Sequence, residues 1–405
     1  MKKDIKKQAI IFILFLGIIS FFSDFTHEGA RSIYGQYLNV IGASAFIVAF
    51  TAGLGEFIGQ ALRLLTGIIA DKTKKYWTMM ILGYAVNLLA IPLLAIVKPS
   101  IWYVAVILIL IERVGKAIRS PAKSALTSFT APHLGAGKAF AINEVLDQLG
   151  AFLGPLMVFF IVSANSEMDA LSRYQMSFAI LGIFAIVTLI LLFIAKSKYP
   201  NPETFEKHDE KIKDGLRKNK AFIIYMVAIS FIAMGFVDYP VIAYHMDSTQ
   251  TIAVIYIPLL YSFAMGIDAI SALIFGILFD KIGIRSLIIS TMIAALTTPF
   301  IFLFDTTLSV IIGIILWGIG MGAQESILKA VVAKMVPKEK RATGYGIFSS
   351  VFGLFWFLGS MVIGLIYQYS LLGVVIFAVT AEVVSVILLI LLINYQNKIK
   401  KLNTV

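Results

Sequence analysis

The 405-residue sequence contains no cysteine and only four histidines. Without thiols it can form no disulfide, no thiolate metal site and no cysteine nucleophile. His27, His133, His208 and His245 are scattered, with no metal-ligand spacing. Charge is scarce too: 14% of residues are charged, against roughly 25% in a soluble domain. That is too little to cover a water-exposed surface. No Gly-x-x-x-x-Gly-Lys loop is present to cradle a nucleotide phosphate, which argues against ATP hydrolysis. Paired Asp-x-x-x-Asp acids, which a lipid-modifying enzyme would use to hold a metal-diphosphate, are also missing.

What fills the chain instead is apolar material, 59% of all residues, in runs of about 20 residues or more. Such runs cross a hydrocarbon core roughly 30 Å thick. Twelve spans are read at 8–38, 43–70, 77–97, 101–124, 137–163, 174–195, 221–246, 252–279, 285–304, 308–336, 342–369 and 371–396. The start, Met1-Lys2-Lys3-Asp4-Ile5-Lys6-Lys7, looks like a secretory signal. No small-residue cleavage site follows, and the apolar run continues into Asp24, Glu28 and Arg31, so an uncleaved first span is expected.

The net charge of +11 reads as membrane orientation rather than nucleic-acid binding. Lys72, Lys74, Lys75, Lys123, Lys138, Lys281, Arg285, Lys338, Lys340 and Arg341 fall on the same side as the lysine-rich termini. Only Lys98 and Arg173 fall opposite. Basic short loops stay cytoplasmic, so both termini are expected inside the cell membrane. Residues 196–220 form the one long polar segment, dividing the chain into bundles at 1–195 and 221–405.

The halves repeat. Gly67-Ile68-Ile69-Ala70-Asp71-Lys72 recurs 209 positions later as Gly276-Ile277-Leu278-Phe279-Asp280-Lys281. The glycine is expected to let a neighbouring helix come close, and the Asp-Lys pair to meet the lipid-water boundary. Gly115, Pro132 and Gly154 recur 205 positions later as Gly320, Pro337 and Gly359.

Ionisable groups inside spans cost several kcal/mol, from ~3 to above 10, unless paired or wetted. Span one carries Asp24, Glu28 and Arg31 at i, i+4, i+7, hence on one helical face. Span four carries Glu112, Lys116 and Arg119 in the same spacing, with Arg113 beside them. Span five adds Glu144 and Asp147, span seven Asp238, and span ten Gln324, Glu325 and Lys329. Asp24, Glu28, Asp238 and Glu325 are candidate proton carriers. Arg31, Arg113 and Lys116 would bind an anionic group or neutralise those acids. Arg119, Glu144 and Asp147 read as ion pairs closing an inner gate, and Glu325 with Lys329 equally as a plain i, i+4 pair. His27 is read as a neutral-pH titrating group or a loosely exposed histidine. Tyr34, Tyr37, Tyr239 and Tyr244 read as an interfacial belt. Glu56, Arg63 and Asp268 have no evident partner in the sequence.

On the duplicated Gly-x-x-x-Asp-Lys signature, Arg113 before Gly115, and Gly150-x-x-x-Gly154-Pro155 in span five, the chain resembles the major facilitator superfamily over essentially its whole length. The first signature departs by carrying Lys74 where the second keeps Gly283. The glycine pair usual after Pro155 is replaced by Met157-Val158-Phe159. The resemblance implies an all-α polytopic membrane protein: two pseudo-twofold-related six-helix bundles, with spans one, four, seven and ten lining a central cavity. It also implies a secondary transporter rather than an enzyme. Such a protein moves a small-molecule substrate by alternating access, with protons as coupling ion and antiport suggested by the span-five motif. No metal, other cofactor or nucleic acid is expected, and membrane lipid is the surrounding partner of a monomer. A transporter-like sensor without net flux is the alternative; a lipid-modifying enzyme is a more distant one.

Overall fold

A computed structural model describes residues 2–129, 136–165, 167–202, 220–304, 306–335 and 341–403; some side chains within these ranges, including those of Asp71, Glu144 and Asp280, fall outside the description. Fourteen α-helices are described. They are α1 (Lys2–Val40), α2 (Ala45–Thr73), α3 (Tyr76–Leu93), α4 (Trp102–Ser128), α5 (Ala136–Ala164), α6 (Ala170–Lys198) and α7 (Lys220–Gly235). There follow α8 (Tyr239–Thr249), α9 (Ile257–Ile282), α10 (Arg285–Ala295), α11 (Thr297–Phe302), α12 (Thr307–Met335), α13 (Arg341–Tyr367) and α14 (Leu371–Asn403). No strand occurs among the described residues.

Eleven stretches among them are long and apolar enough to cross a membrane, with α7 and α8 forming one and α10 and α11 another. The remaining long helix, α4, has 27 residues, but Glu112, Arg113, Lys116 and Arg119 dilute its hydropathy. With α4 the total is twelve, as read from the sequence. Lipid exposure is visible on α9, where Ile270, Leu273, Ile274 and Ile277 share one face and are each more than half exposed. Most of the polar segment, 203–219, lies outside the described residues, as do Pro132 and Pro337.

Span seven departs from the uninterrupted helix read at 221–246. It breaks at Phe236–Asp238, with Asp238 in extended conformation ahead of α8 and Pro240 in its first turn. Asp before a Pro-containing first turn is a helix-start signal, which the apolar run concealed. The carbonyl of Val237, released by the break, accepts a 2.8 Å hydrogen bond from the Trp317 indole. A backbone group left unpaired inside a membrane would cost several kcal/mol.

Contacts divide the chain into two compact units. The first comprises Met1–Ala43, Ile58–Lys211 and Val254–Ser262; the second comprises Ser44–Phe57, Ile212–Ala253 and Phe263–Val405. Phe12, Trp77, Tyr84, Leu192 and Tyr199 belong to the core of the first, where the Trp77 indole donates to the Tyr199 carbonyl at 3.1 Å. Phe222, Tyr225, Phe279, Leu328 and Phe348 belong to that of the second, where the Tyr225 hydroxyl donates to the Leu328 carbonyl at 2.8 Å. Apolar bodies with satisfied polar tips suit both sites.

The sequence repeat is also a packing repeat. A Cβ on Gly154 would overlap the carbonyl oxygen of Phe25, and a Cβ on Gly359 that of Met234. Phe25 and Met234 are themselves 209 positions apart. The helix-ending turns agree as well. Lys74 and Gly283 both take left-handed backbone, φ 55° and 62°, and their amides bond Ala70 and Phe279 carbonyls, each at 2.8 Å. This is an αL helix stop in both halves, so the turn carrying Lys74 keeps the same conformation without the glycine.

Candidate functional site

Within the first unit, α1 and α4 bring together the charges that the sequence places on spans one and four. Glu28 lies at the hub. It accepts a 2.6 Å hydrogen bond from the hydroxyl of Tyr261, in the α9 segment that belongs to the same unit. Arg31 approaches it at 3.6 Å, His27 at 3.4 Å and Lys116 at 3.9 Å. Glu112 is fully buried. Its carboxylate lies 2.7 Å from His27 Nδ1 and 3.5 Å from Arg113 Nε, and it accepts from the Asn87 side chain. His27 thus sits between two carboxylates, within ion-pair distance of both but aligned for a regular hydrogen bond with neither. The spacing on α1 explains the gathering: Asp24, His27, Glu28 and Arg31 follow the i, i+3, i+4, i+7 rule of one helical face.

One turn along α4, Arg119 donates to Asp24 at 3.3 Å and stacks over the Tyr84 ring, 4.5 Å from its centroid. Lys123 holds Asp147 at 2.8 Å. These pairs border a cavity of about 200 Å³ lined also by Lys116, Ser120, Ser124, Thr127 and Asn143. Three cations and two carboxylates therefore face one small polar space. Charges buried in a membrane persist where they are paired or line such a space.

Several sequence expectations need correcting. Arg119 pairs with Asp24 and Asp147 with Lys123 around one cavity that Arg119 and Asp147 both line; the side chain of Glu144 lies outside the described residues. Lys123, read as a loop charge, is an ion-pair partner because α4 runs on to Ser128. His27 is fully buried rather than loosely exposed, as are Tyr34, Tyr37 and Tyr239. The Tyr37 hydroxyl donates to the Leu94 carbonyl at 2.9 Å, so these rings are core and not an interfacial belt. A Cβ on Gly67 would meet Pro121 only at ordinary contact distance, and one on Gly276 would meet nothing within 4 Å. Close helix approach occurs instead at Gly150 and Gly154, where a Cβ would overlap the Phe21 and Phe25 carbonyl oxygens. Pro155 follows within α5.

In the second unit, Asp238 is buried at the break in span seven, Gln324 and Asp268 are buried, and Glu325 and Lys329 are exposed. Lys72 and Lys281 are exposed near the ends of α2 and α9; the Asp71 and Asp280 side chains are outside the described ones. Three buried polar residues escaped the sequence reading. Asn87 and Tyr261 had no signal, being polar groups common in spans. Glu382, a lone acid within the apolar stretch Leu371–Lys398, did have one. Among the described residues no cluster of His, Cys, Asp and Glu could hold a metal ion.

Comparison with known proteins agrees with this architecture. The family model described as Major Facilitator Superfamily matches residues 13–359 and 222–404. The chain belongs to the major facilitator superfamily. It is 32% identical over 383 residues to the uncharacterized protein Rv2265 of Mycobacterium tuberculosis, covering 93% of this chain and 92% of that one. It is 28% identical over 366 residues to the uncharacterized MFS-type transporter MJ1317 of Methanocaldococcus jannaschii, covering 88% and 89%. The crystal structure of the nucleoside transporter NupG (D323A mutant) superposes with a TM-score of 0.73 over 94% of this chain and 99% of that one, at 16% identity; this likeness concerns the fold. As a member of the superfamily the chain is an integral membrane transporter, and its small-molecule substrate is one bound within the membrane.

Proposed function

We propose that this transporter is a proton-coupled secondary carrier that exports a small solute across the cell membrane by antiport, through alternating access. Proton coupling rests on one observation: Asp24, Glu28 and Glu112 are buried or half-buried, and each lies within ion-pair distance of a base. A carboxylate balanced by a cation is tolerable inside the membrane, whereas an unbalanced one is not. A proton arriving at Asp24 neutralises the acid and releases Arg119. A proton at Glu28 does the same for Arg31 and Lys116. Each such event changes the charge balance of the cluster by one and so favours a different arrangement of α1 and α4. Antiport follows where solute and proton compete for the same carboxylates. The tight approach of α5 to α1 at Gly150 and Gly154, with Pro155, is the span-five pattern that favours this direction. The carrier works as a monomer, with both termini in the cytoplasm, on the loop-charge argument.

The cavity supports a second reading. Its three cations against two carboxylates suit a solute with an anionic group. Protonation of Asp24 would then free Arg119 to bind that group, and proton and solute would travel together. Reconstitution into liposomes, with labelled solutes screened under an imposed pH gradient, tests both. Antiport requires solute affinity to rise with pH, cotransport requires it to fall. Asp24→Asn is expected to abolish gradient-driven transport while solute exchange partly survives. Gradient dependence unchanged in Asp24→Asn would remove Asp24 from the scheme. Absence of any solute or proton flux would favour a sensor.

A further inference from the structure

Asp24, Glu28, Glu112 and Asp147 in the first unit have basic partners; Glu382 in the second has none among the described residues. Glu382 lies near the middle of α14 and is 2% exposed. No hydrogen bond or ion pair reaches its carboxyl among the described residues, and its Oε2 is wholly buried. Ser385, one turn on along the same face, also has a buried hydroxyl without a partner.

The surroundings hold no evident counter-charge at that depth. The elements packed against α14 are α7, α10, α11 and α13. Their titratable or charged residues are Lys220 and Tyr225 on α7, Arg285 on α10, and Arg341, Tyr345 and Tyr367 on α13; α11 has none. Lys220, Arg285 and Arg341 each open their helix. Gly235, the α7 residue against Glu382, is 15 positions from Lys220, about 22 Å along the axis. The nearest charged residue along the chain beyond Gly235 is Asp238, another acid. A carboxylate in such surroundings is far costlier than the neutral acid.

Position gives this acid a use. A Cβ on Gly235 would stand 3.0 Å from Glu382 Cγ and 2.8 Å from the Ala378 carbonyl oxygen, so α7 and α14 touch where Glu382 sits. Gly235 is the last residue of α7, directly before the Phe236–Asp238 break. At Phe236–Asp238 the helical ladder stops, with the Phe236 amide bonded to the Ile232 carbonyl as its last rung, and it resumes where the Val241 amide bonds the Asp238 carbonyl. This interruption is the place where span seven can bend most cheaply. Any change there alters the packing around Glu382.

We propose that Glu382 is a second proton-carrying carboxyl of the transporter, held as the neutral acid against the break in span seven and ionised when that break rearranges. The acid O–H bond breaks, the proton passes to water admitted at the break, and the carboxylate is left wetted. Reprotonation restores the packed form. The transport role deepens the proton-coupled reading and rests on it, while the neutral state of Glu382 does not.

Two measurements on the full chain in liposomes test this. Infrared spectra across the pH range in which carboxylates ordinarily titrate should show a protonated-carboxyl carbonyl band that persists at neutral pH and is absent from Glu382→Gln. Amide exchange over residues 231–239, corrected for the intrinsic pH dependence, should speed up at least tenfold as that band disappears at higher pH. In Glu382→Gln the corrected exchange should not vary with pH. Identical infrared spectra for wild type and Glu382→Gln would overturn the neutral acid. Exchange that varies with pH equally in both would overturn its link to the break. If Glu382→Gln does not fold, labelling of wild-type Glu382 by a hydrophobic carbodiimide decides, read by peptide mass: labelling supports the protonated form and its absence overturns it. Absent proton flux with the Glu382 band intact would instead indict the proton-coupled reading.

Discussion

The Asp24–Arg119 pair is unequal, and the inequality has a measurable consequence. Arg119 is 3% exposed by side chain and Asp24 18%. Replacing Asp24 by Asn leaves a guanidinium buried against a neutral amide. Removing one partner of a buried pair costs about 3–5 kcal/mol. The cation–π contact with Tyr84 survives and is worth about 1 kcal/mol, so a loss of about 2–4 kcal/mol is expected. Replacing Arg119 by Met leaves the wetter member behind, in a cavity that still contains Lys116 and Lys123. That should cost about 1–2 kcal/mol. The double variant should lose less than the two singles together, with a coupling of about 1–2 kcal/mol. Reversible denaturation by sodium dodecyl sulfate in bicelles gives the four free energies. The reasoning is refuted if Arg119→Met is the costlier single change, or if the two effects add to within about 0.5 kcal/mol.

The matched turns make an opposite pair of variants. Lys74→Gly should stabilise the protein by about 1 kcal/mol, and Gly283→Ala should cost a similar amount, because only glycine adopts left-handed backbone without a steric penalty. Thermal unfolding in detergent reads both, and equal neutrality would show that the turns do not constrain the fold. At the close helix crossings, Gly154→Val and Gly359→Val should each cost ~2 kcal/mol or more by forcing the helices apart. Gly276→Ala, with open space around its Cβ, should be neutral or stabilise by up to about 1 kcal/mol. If Gly276→Ala harms the protein as much as Gly154→Val, the contacts described for this conformation are not the ones that set its stability.

Membrane insertion, twelve spans and the duplication were legible in the residues themselves. Each depends on local composition or on a repeat at fixed offset: the signature at Gly67 and Gly276, the apolar runs, the scarcity of charge. The grouping on α1 was legible too, because Asp24, Glu28 and Arg31 obey the periodicity of a single helix. Partners across helices were not. Arg119 could meet Asp24, Glu144 or Asp147 at similar depth, and nothing in the spacing along one helix selects among residues of another.

The break in span seven shows the same limit from the other side. Asp238 and Pro240 are a helix start in any solvent, yet an unbroken hydropathy profile hides them, since hydropathy averages over a window longer than the break. Glycine obeys this division as well. Small residues can be counted in a sequence, but whether a Cβ has room depends on the helix opposite, and that separates Gly154 from Gly276. One-dimensional pattern dictates which segments enter the membrane and how they repeat, because lipid acts on each segment independently. Pairing, burial and close approach come from packing between segments distant along the chain, and these appear only when the helices are assembled.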